Sequence, residues 1–393
     1  MALPFSYSVR SLFARRLRTG LTVAVIALVV IATTLFLGLI SSLRRTLVST
    51  GDERNLIVMR KGSTNDGSSQ LTLQSLQDVR FFEGIAKDPK GEPMISPELI
   101  VQPFFFRNDG GRENVLVRGV EPTLALEVHG DVEVTEGRVF NPSSGEALVG
   151  SGVAGRYRGA KLGDTLEFGR GRWKVVGIFE SGGSSFESEV WVDARELAND
   201  AKRTLPYSSF RIRAADGADR GALARRIEDD PRHALEAKPE IEYYAEQAES
   251  ANTLYVLVIG LAVLAGVGAV FGATNTLYAA VQARTAEIGT LRAIGFSRGS
   301  ILLSFLVESL LTAGLGFAIG GAVAWALGVA VSSALGGIGF GAATFTTNVI
   351  QLRVGPGDLL AALGLALVVG LVGGFMPARR AAQLRPIEAL RKA

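Results

Sequence analysis

The chain has no cysteine and only two histidines, His129 and His233, in 393 residues. The first absence excludes disulfides, thiolate metal sites and cysteine-linked lipid anchors. The second leaves little material for an imidazole metal site, and both histidines, far apart in loop-rich sequence, are read as surface residues. A nucleotide-binding loop is also lacking. Gly150-Ser151-Gly152-Val153-Ala154-Gly155 has the glycine spacing of a dinucleotide fingerprint and follows a strand-like run, but turn residues arrive where a long helix is required. It fails as a phosphate loop because Arg156-Tyr157 stand where Lys and Ser/Thr are needed. Finally, four long stretches contain no Asp, Glu, Lys or Arg: 19–43, 250–283, 309–352 and 359–378.

These uncharged stretches set the fold class. Mean hydropathy is +0.28 and 48% of residues are hydrophobic. Each stretch exceeds the ~18 residues that mark a candidate span, since ~20 residues at ~1.5 Å rise cross a hydrocarbon core of ~30 Å. One such run would suit a buried helix of a large soluble protein; four define a membrane protein. The first is too long for a signal-peptide core of about 7–15 residues, and no small-x-small cleavage site precedes Arg44, so it is read as a retained helix.

Basic residues set the orientation. Arg10, Arg15, Arg16 and Arg18 precede the first span. Arg284, Arg292 and Arg298 lie between the second and third, and Arg379, Arg380, Arg385, Arg391 and Lys392 follow the fourth. The opposing short link holds only Arg353. Both termini and the middle link are therefore expected in the cytoplasm, with residues 44–250 outside. Residues 49–250 carry a net charge of −8 and the remainder +11, so the pI near 9.2 reports topology and not nucleic-acid binding.

The outer segment reads as a folded α+β domain. Apolar, β-rich runs at 55–60, 99–107, 114–120, 165–179, 189–193 and 208–214 alternate with turn residues, and 218–230 has helical character. The Gly/Ser-rich stretches 61–70 and 181–185 are read as mobile loops. The uncharged stretch 250–283, about 50 Å if helical, outruns the ~30 Å core. A helix starting near Glu240 would make it a stalk above the membrane.

Two segments carry finer information. In the link 284–298, Glu287, Thr290, Leu291 and Ile294 fall at i, i+3, i+4 and i+7, one face of a short helix, with Gly295 placed to end it. Its Arg284…Glu287-Ile288-Gly289…Arg292-Ala293…Gly295 follows R-x-x-E-I-G-x-x-[KR]-A-x-G. The tail from Pro377 to Leu390 follows P-A-x-x-A-A-x-L-x-P-x-E-A-L. Both resemble the permeases of the MacB/FtsX/lipoprotein-releasing class of ABC transporters. The RRLRTGLT run at 15–22 resembles their entry into the first helix, although the glycine often found soon afterwards is absent.

The resemblance covers the whole layout. It implies an amphipathic N-terminus (1–18), spans at 19–43, 251–283, 301–332 and 357–378, a coupling helix within 284–298, an outer loop at 333–356 and a cytoplasmic tail at 379–393. The outer domain would divide into a mixed α/β part (50–112 with 205–250) and a β-rich part (113–204). The chain would be no enzyme and hold no cofactor. ATP and Mg would bind a separate ABC ATPase, present in two copies and contacted by Glu287, Ile288, Gly289, Leu291, Arg292, Ile294 and Gly295. A second permease copy or paralogue, the inner-membrane bilayer and a periplasmic adaptor complete the partners considered. Helix movement would drive export or extraction of a drug, peptide, lipid or lipoprotein. The alternative is an FtsX-like regulator of cell-envelope enzymes that transports nothing.

Glu308 is the sole charge between Arg298 and Arg353. A carboxylate in a span is costly and is expected to face a partner inside the bundle. Gly268 with Gly272, Gly316 with Gly320 and Gly370 with Gly374 form G-x-x-x-G pairs that would let helices approach closely.

Overall fold

Among the described residues, four helices are long and apolar enough to cross a membrane: Thr19–Val48, Tyr255–Ala283, Arg298–Ser333 and Pro356–Gln383. They belong to a computed structural model that describes residues 16–249, 252–335, 338–341 and 347–386. Most of the expected N-terminal segment (1–15), the end of the tail (387–393), residues 250–251 of the expected stalk and parts of the outer loop lie outside the described residues.

In chain order, helix α1 (Arg16–Val48) leads to β1 (Asn55–Arg60), α2 (Leu73–Val79), β2 (Ile95–Val101), β3 (Phe104–Phe106), β4 (Arg112–Asn114) and β5 (Leu116–Val120). Then come α3 (Pro122–His129), β6 (Glu133–Gly137), β7 (Glu146–Gly150), β8 (Thr165–Phe168), β9 (Gly171–Glu180), β10 (Glu189–Asp193) and α4 (Ala194–Asp200). The outer segment closes with β11 (Ser209–Arg213), α5 (Arg220–Glu228), β12 (Leu235–Pro239) and α6 (Glu240–Glu249). The remaining elements are α7 (Asn252–Ala283), α8 (Thr285–Ala293), α9 (Arg298–Leu335), a hairpin of β13 (Ile338–Gly341) and β14 (Thr347–Ile350), and α10 (Pro356–Gln383). The chain divides into two units: Met1–Ser41 with Leu254–Ala330 and Leu352–Ala393, and Ser42–Thr253 with Val331–Gln351.

The first unit is the helical bundle. Lipid satisfies no backbone group, so each crossing segment must close its own hydrogen bonds as a helix. Small residues and short aliphatics fill the centre: Ile26, Val30, Ala269, Ala313, Ala362, Ala366 and Val369. Helix α7 keeps Val256, Leu264 and Phe271 about 70% exposed, apolar surface that a bilayer covers. At the start of α10, Asp358 caps the Gly355 N–H at 2.8 Å and accepts from Ser41 Oγ at 3.0 Å.

The second unit is built on one sheet of order β12-β1-β11-β2-β5-β10-β7-β9-β6, with β8 beside β9. The expected boundary between a mixed part and a β-rich part falls inside this sheet, which β2 and β5 carry across unbroken (Leu99 opposite Gly119). The expected run 99–107 is two strands, because Pro103 has no N–H to give a ladder. Alternation assigns the faces. One packs Leu56, Val58, Ile95, Phe210 and Ile212 beneath α2 and α5, and Val117, Val149, Val175, Val190 and Val192 near α4. The other packs Ile57, Val120, Phe179 and Trp191 against α3 and against Tyr243 and Tyr244 of α6.

Two expectations are corrected here, and the glycine run acquires a role. His129 is buried, only 4% exposed, and His233 is half-buried, its Nε2 lying 2.7 Å from Asp78 Oδ2. Neither is a surface residue, because each has a carboxylate waiting for its ring. The loops at 61–70 and 181–185 are pinned: the Asp66 N–H donates to Tyr243 Oη at 3.0 Å, and the Ser185 N–H donates to Thr50 Oγ1 at 2.9 Å. The glycine run 150–155 has a packing role, since a Cβ at Gly150 or Gly152 would strike the Glu187 carbonyl.

Candidate functional site

Helix α8 is short because its ends are specified. Glu287 in the first turn and Arg292 in the last suit the helix dipole, and Gly295 (φ +106°) leaves the helix in a conformation other residues resist. The Arg292 Nη1–H closes the end by donating to the Phe296 carbonyl at 2.9 Å. The helix presents Glu287, Thr290 and Ile294 of the expected face and turns its neighbouring side into the bundle. Ile288 is 1% exposed and packs with Val281, Ile301, Phe305, Ala378, Ala381 and Ala382. Gly289 is buried and Leu291 half-buried against the same cluster. Ile288 and Gly289 are therefore corrected from docking residues to the anchor that seats the helix on its own bundle. The outward surface comprises Glu287, Thr290, Ile294 and Gly295, with Ile294 67% exposed.

Glu308 belongs to the same assembly. Its carboxylate accepts from Arg284 Nη1 at 3.0 Å, and Arg284 Nε donates to Glu287 at 3.0 Å. The Arg284 guanidinium also lies 5.2 Å from the Phe305 ring centre. One arginine thus joins the buried carboxylate of α9 to the exposed carboxylate of α8. Glu308 faces inward and lines a crevice shared by Thr22, Thr276, Ser309 and Thr312 with apolar Ile26, Ala273 and Leu277. The Thr22 hydroxyl donates to Thr276 Oγ1 at 2.9 Å across α1 and α7.

The glycine pairs divide. A Cβ at Gly316 would lie 2.7 Å from Ile26, and one at Gly320 2.7 Å from the Ala27 carbonyl, so this pair receives α1. A Cβ at Gly370 would meet Ala313 at 2.7 Å and one at Gly374 would meet Ser309 at 2.6 Å, so that pair receives α9. Gly268 has nothing within 4 Å and Gly272 only Val25 at 4.0 Å. The expectation for Gly268 and Gly272 is corrected within this chain: α7 uses Ala273 against Gly373 instead.

A further cluster went unread in the sequence. On the α3/α6 face of the outer sheet, Arg118 Nη1 donates to Glu98 at 2.5 Å and its Nη2 to Glu189 at 2.6 Å. Arg211 Nη1 donates to the same Glu98 oxygen at 2.6 Å and Nε to Glu240 at 2.7 Å. His129 Nε2 reaches the other Glu98 oxygen at 2.7 Å. Arg118, Arg211 and Glu98 are at most 1% exposed. Burial alone would raise the Glu98 carboxyl, but Arg211 and Arg118 outweigh it and hold it well below the usual carboxylate range. Burial likewise works against the charge on Arg118, and Glu189 and Glu98 more than restore it. The available signal was an arginine at 118 between Val117 and Gly119, two places before the core residue Val120.

Four membrane helices with an α+β extracytoplasmic domain inserted between the first and second define a polytopic membrane protein. The MacB-like periplasmic core domain family matches residues 19–230, more than half of the chain, and the FtsX-like permease C-terminal family matches residues 259–386. The chain belongs to the MacB/FtsX class of ABC transporter permeases, proteins of the inner membrane. It is similar to the macrolide export ATP-binding/permease protein MacB of Hyphomonas neptunium, 26% identical over 97% of this chain and 59% of that protein. The pyoverdine export ATP-binding/permease protein PvdT of Pseudomonas aeruginosa is 27% identical over 97% of this chain and 57% of its own length. The chain thus spans somewhat over half the length of these curated relatives. The periplasmic region of MacB from Actinobacillus actinomycetemcomitans aligns with 49% of this chain and 91% of its own at 10% identity, with a TM-score of 0.37. The extracellular domain of the transporter YknZ aligns with 47% and 99% at 14% identity, with a TM-score of 0.36.

Proposed function

We propose that this permease converts ATP hydrolysis on an ABC ATPase into movement of its outer domain, and so drives export or extraction of a hydrophobic or amphipathic substrate. Two ATPase subunits carrying ATP and Mg serve two permease copies, with both permease termini and the link 284–298 in the cytoplasm. The observation that carries this reading is the division of α8. Ile288 roots the helix in the bundle, while Glu287, Thr290 and Ile294 remain outside it. A rooted helix with an apolar side chain exposed beside a charge is suited to a partner groove, where the apolar residue anchors and the charge orients. Through Arg284, a push on Glu287 reaches Glu308 in α9.

The test is the complex purified from membranes. Glu287→Lys and Ile294→Asp should reduce the ATPase co-purified with the chain, and hydrolysis should no longer respond to hydrophobic compounds. Normal recovery and a normal response in both variants would remove the assignment. The match of residues 259–386 to the FtsX-like family supports a second reading, a regulator of envelope enzymes. A complex whose ATP hydrolysis ignores every hydrophobic compound, yet activates a cell-wall hydrolase, would favour it.

A further inference from the structure

Three chain segments that continue from membrane spans meet in the outer unit. The outer end of α1 supplies Leu43 and Leu47. Helix α6, which runs toward the second span, supplies Ala248. Strand β14, which leads into the fourth span, supplies Ile350. These four side chains form one apolar cluster, none more than 7% exposed and Ile350 fully buried. Polar contacts tie it to the domain. The Val349 N–H donates to Ser188 Oγ at 2.9 Å, and the Ser185 N–H donates to Thr50 Oγ1 just past α1. The turn after α1 and the start of α6 touch so closely that a Cβ at Gly51 would lie 2.8 Å from the Ile241 nitrogen. Glu240 accepts there from the Asp52 N–H at 3.2 Å and from Arg211 at 2.7 Å. Ser188 directly precedes Glu189, the other end of the buried row of charges.

A hairpin in a loop between two spans has no need of a buried aliphatic residue or of a bond to a distant serine. A loop that merely connects helices is solvated and carries few such contacts. We propose that Ile350 is the positioning residue of a three-way joint, which binds the outer continuations of the first, second and fourth spans together so that they move the outer domain as one piece. The joint presupposes the ATP-driven motion proposed above. Buried charges at Glu240–Arg211–Glu98–Arg118–Glu189 give the domain a stiff seat for it, since both ends of that row abut the joint. If the joint moves as a unit, locking it shut leaves coupling intact and loosening it does not.

The experiment uses the full chain with its ATPase in lipid nanodiscs, a fluorescent non-natural amino acid at position 167 reporting outer-domain movement on ATP addition. The readout is the response per ATP hydrolysed, compared among variants whose outer unit keeps the unfolding midpoint of the unaltered chain. Ile350→Asp should lower it by about fivefold or more, the span of an ordinary coupling energy, with hydrolysis retained. Ile350→Ala, which keeps the bond to Ser188, should lower it less and serves should the aspartate fail to fold. In a chain without native cysteines, L47C/I350C closed by oxidation should leave the response unchanged. A full response in Ile350→Ala and Ile350→Asp would overturn the joint, as would a locked pair that loses the response and regains it on reduction. Absence of any ATP-dependent signal in the unaltered chain would instead overturn the coupling reading on which the joint rests.

Discussion

The outer domain and the membrane bundle bury opposite things. The domain hides full charges, with Arg118, Arg211 and Glu98 inside a row that runs from Glu189 to Glu240. The bundle hides small and aliphatic residues, makes its closest approaches at Gly316, Gly320, Gly370 and Gly374, and keeps the carboxylate of Glu308 paired with Arg284. The difference follows from solvent. In water, apolar residues drive collapse, and a buried charge row costs desolvation that only its hydrogen-bonded partners offset. In lipid, apolar burial gains nothing, so helices associate through close contact of small surfaces. Stiffness comes from paired charges in one region and from interlocked backbones in the other.

The largest effect should come from breaking the charge row. Arg211→Met leaves Glu98 and Glu240 buried with one partner fewer and should cost the outer unit about 3–5 kcal/mol. Denaturant unfolding followed by Trp191 fluorescence would show it. A loss within about 0.5 kcal/mol, the size of an ordinary surface substitution, would mean the row is not a stiff element.

The bundle should respond less and selectively. Gly370→Leu drives atoms into Ala313 and the Ser309 carbonyl and should cost about 1–3 kcal/mol. Gly268→Leu faces open space and should change the stability of a single chain by under about 0.5 kcal/mol. Equal losses from the two would show that α7 packs elsewhere than described.

The most graded effect is that of pH. Because Glu98 is held below its ordinary 4.5, its contribution to stability is complete above that pH and falls away as acid protonates it. The outer unit should therefore hold its unfolding midpoint from neutrality to about pH 5 and lose it below pH 4.5. Glu98→Gln should flatten that acid limb. An unchanged limb would assign it to other carboxylates.

The comparison also explains what the sequence disclosed. Spans were legible because lipid permits no other composition. Strands 55–60 and 189–193 were legible to the residue, since each is a short apolar run between turns. Charge burial was not: Arg118 and Arg211 sit in strands whose period allows either face, and only the packing of α3 and α6 decides which is dry. G-x-x-x-G spacing is identical at 268–272 and 370–374, yet only the second pair meets a neighbour, because spacing says nothing of rotation about the helix axis. In α8 the periodic face included Leu291 and Ile294, but the bundle took Ile288, one step round the helix, and left Ile294 outside. Glu308 was legible as inward-facing because its cost in lipid is independent of neighbours; its partner Arg284 was not.

The coupling role proposed for α8 meets its most direct test in photocrosslinking. A benzophenone amino acid is placed at position 294 in one sample and at 288 in another, in membranes holding the permease and its ATPase. Position 294 should give an adduct with the ATPase, and position 288 should react only within its own chain. An ATPase adduct from 288 and none from 294 would contradict the division of α8 into a rooted side and a docking side.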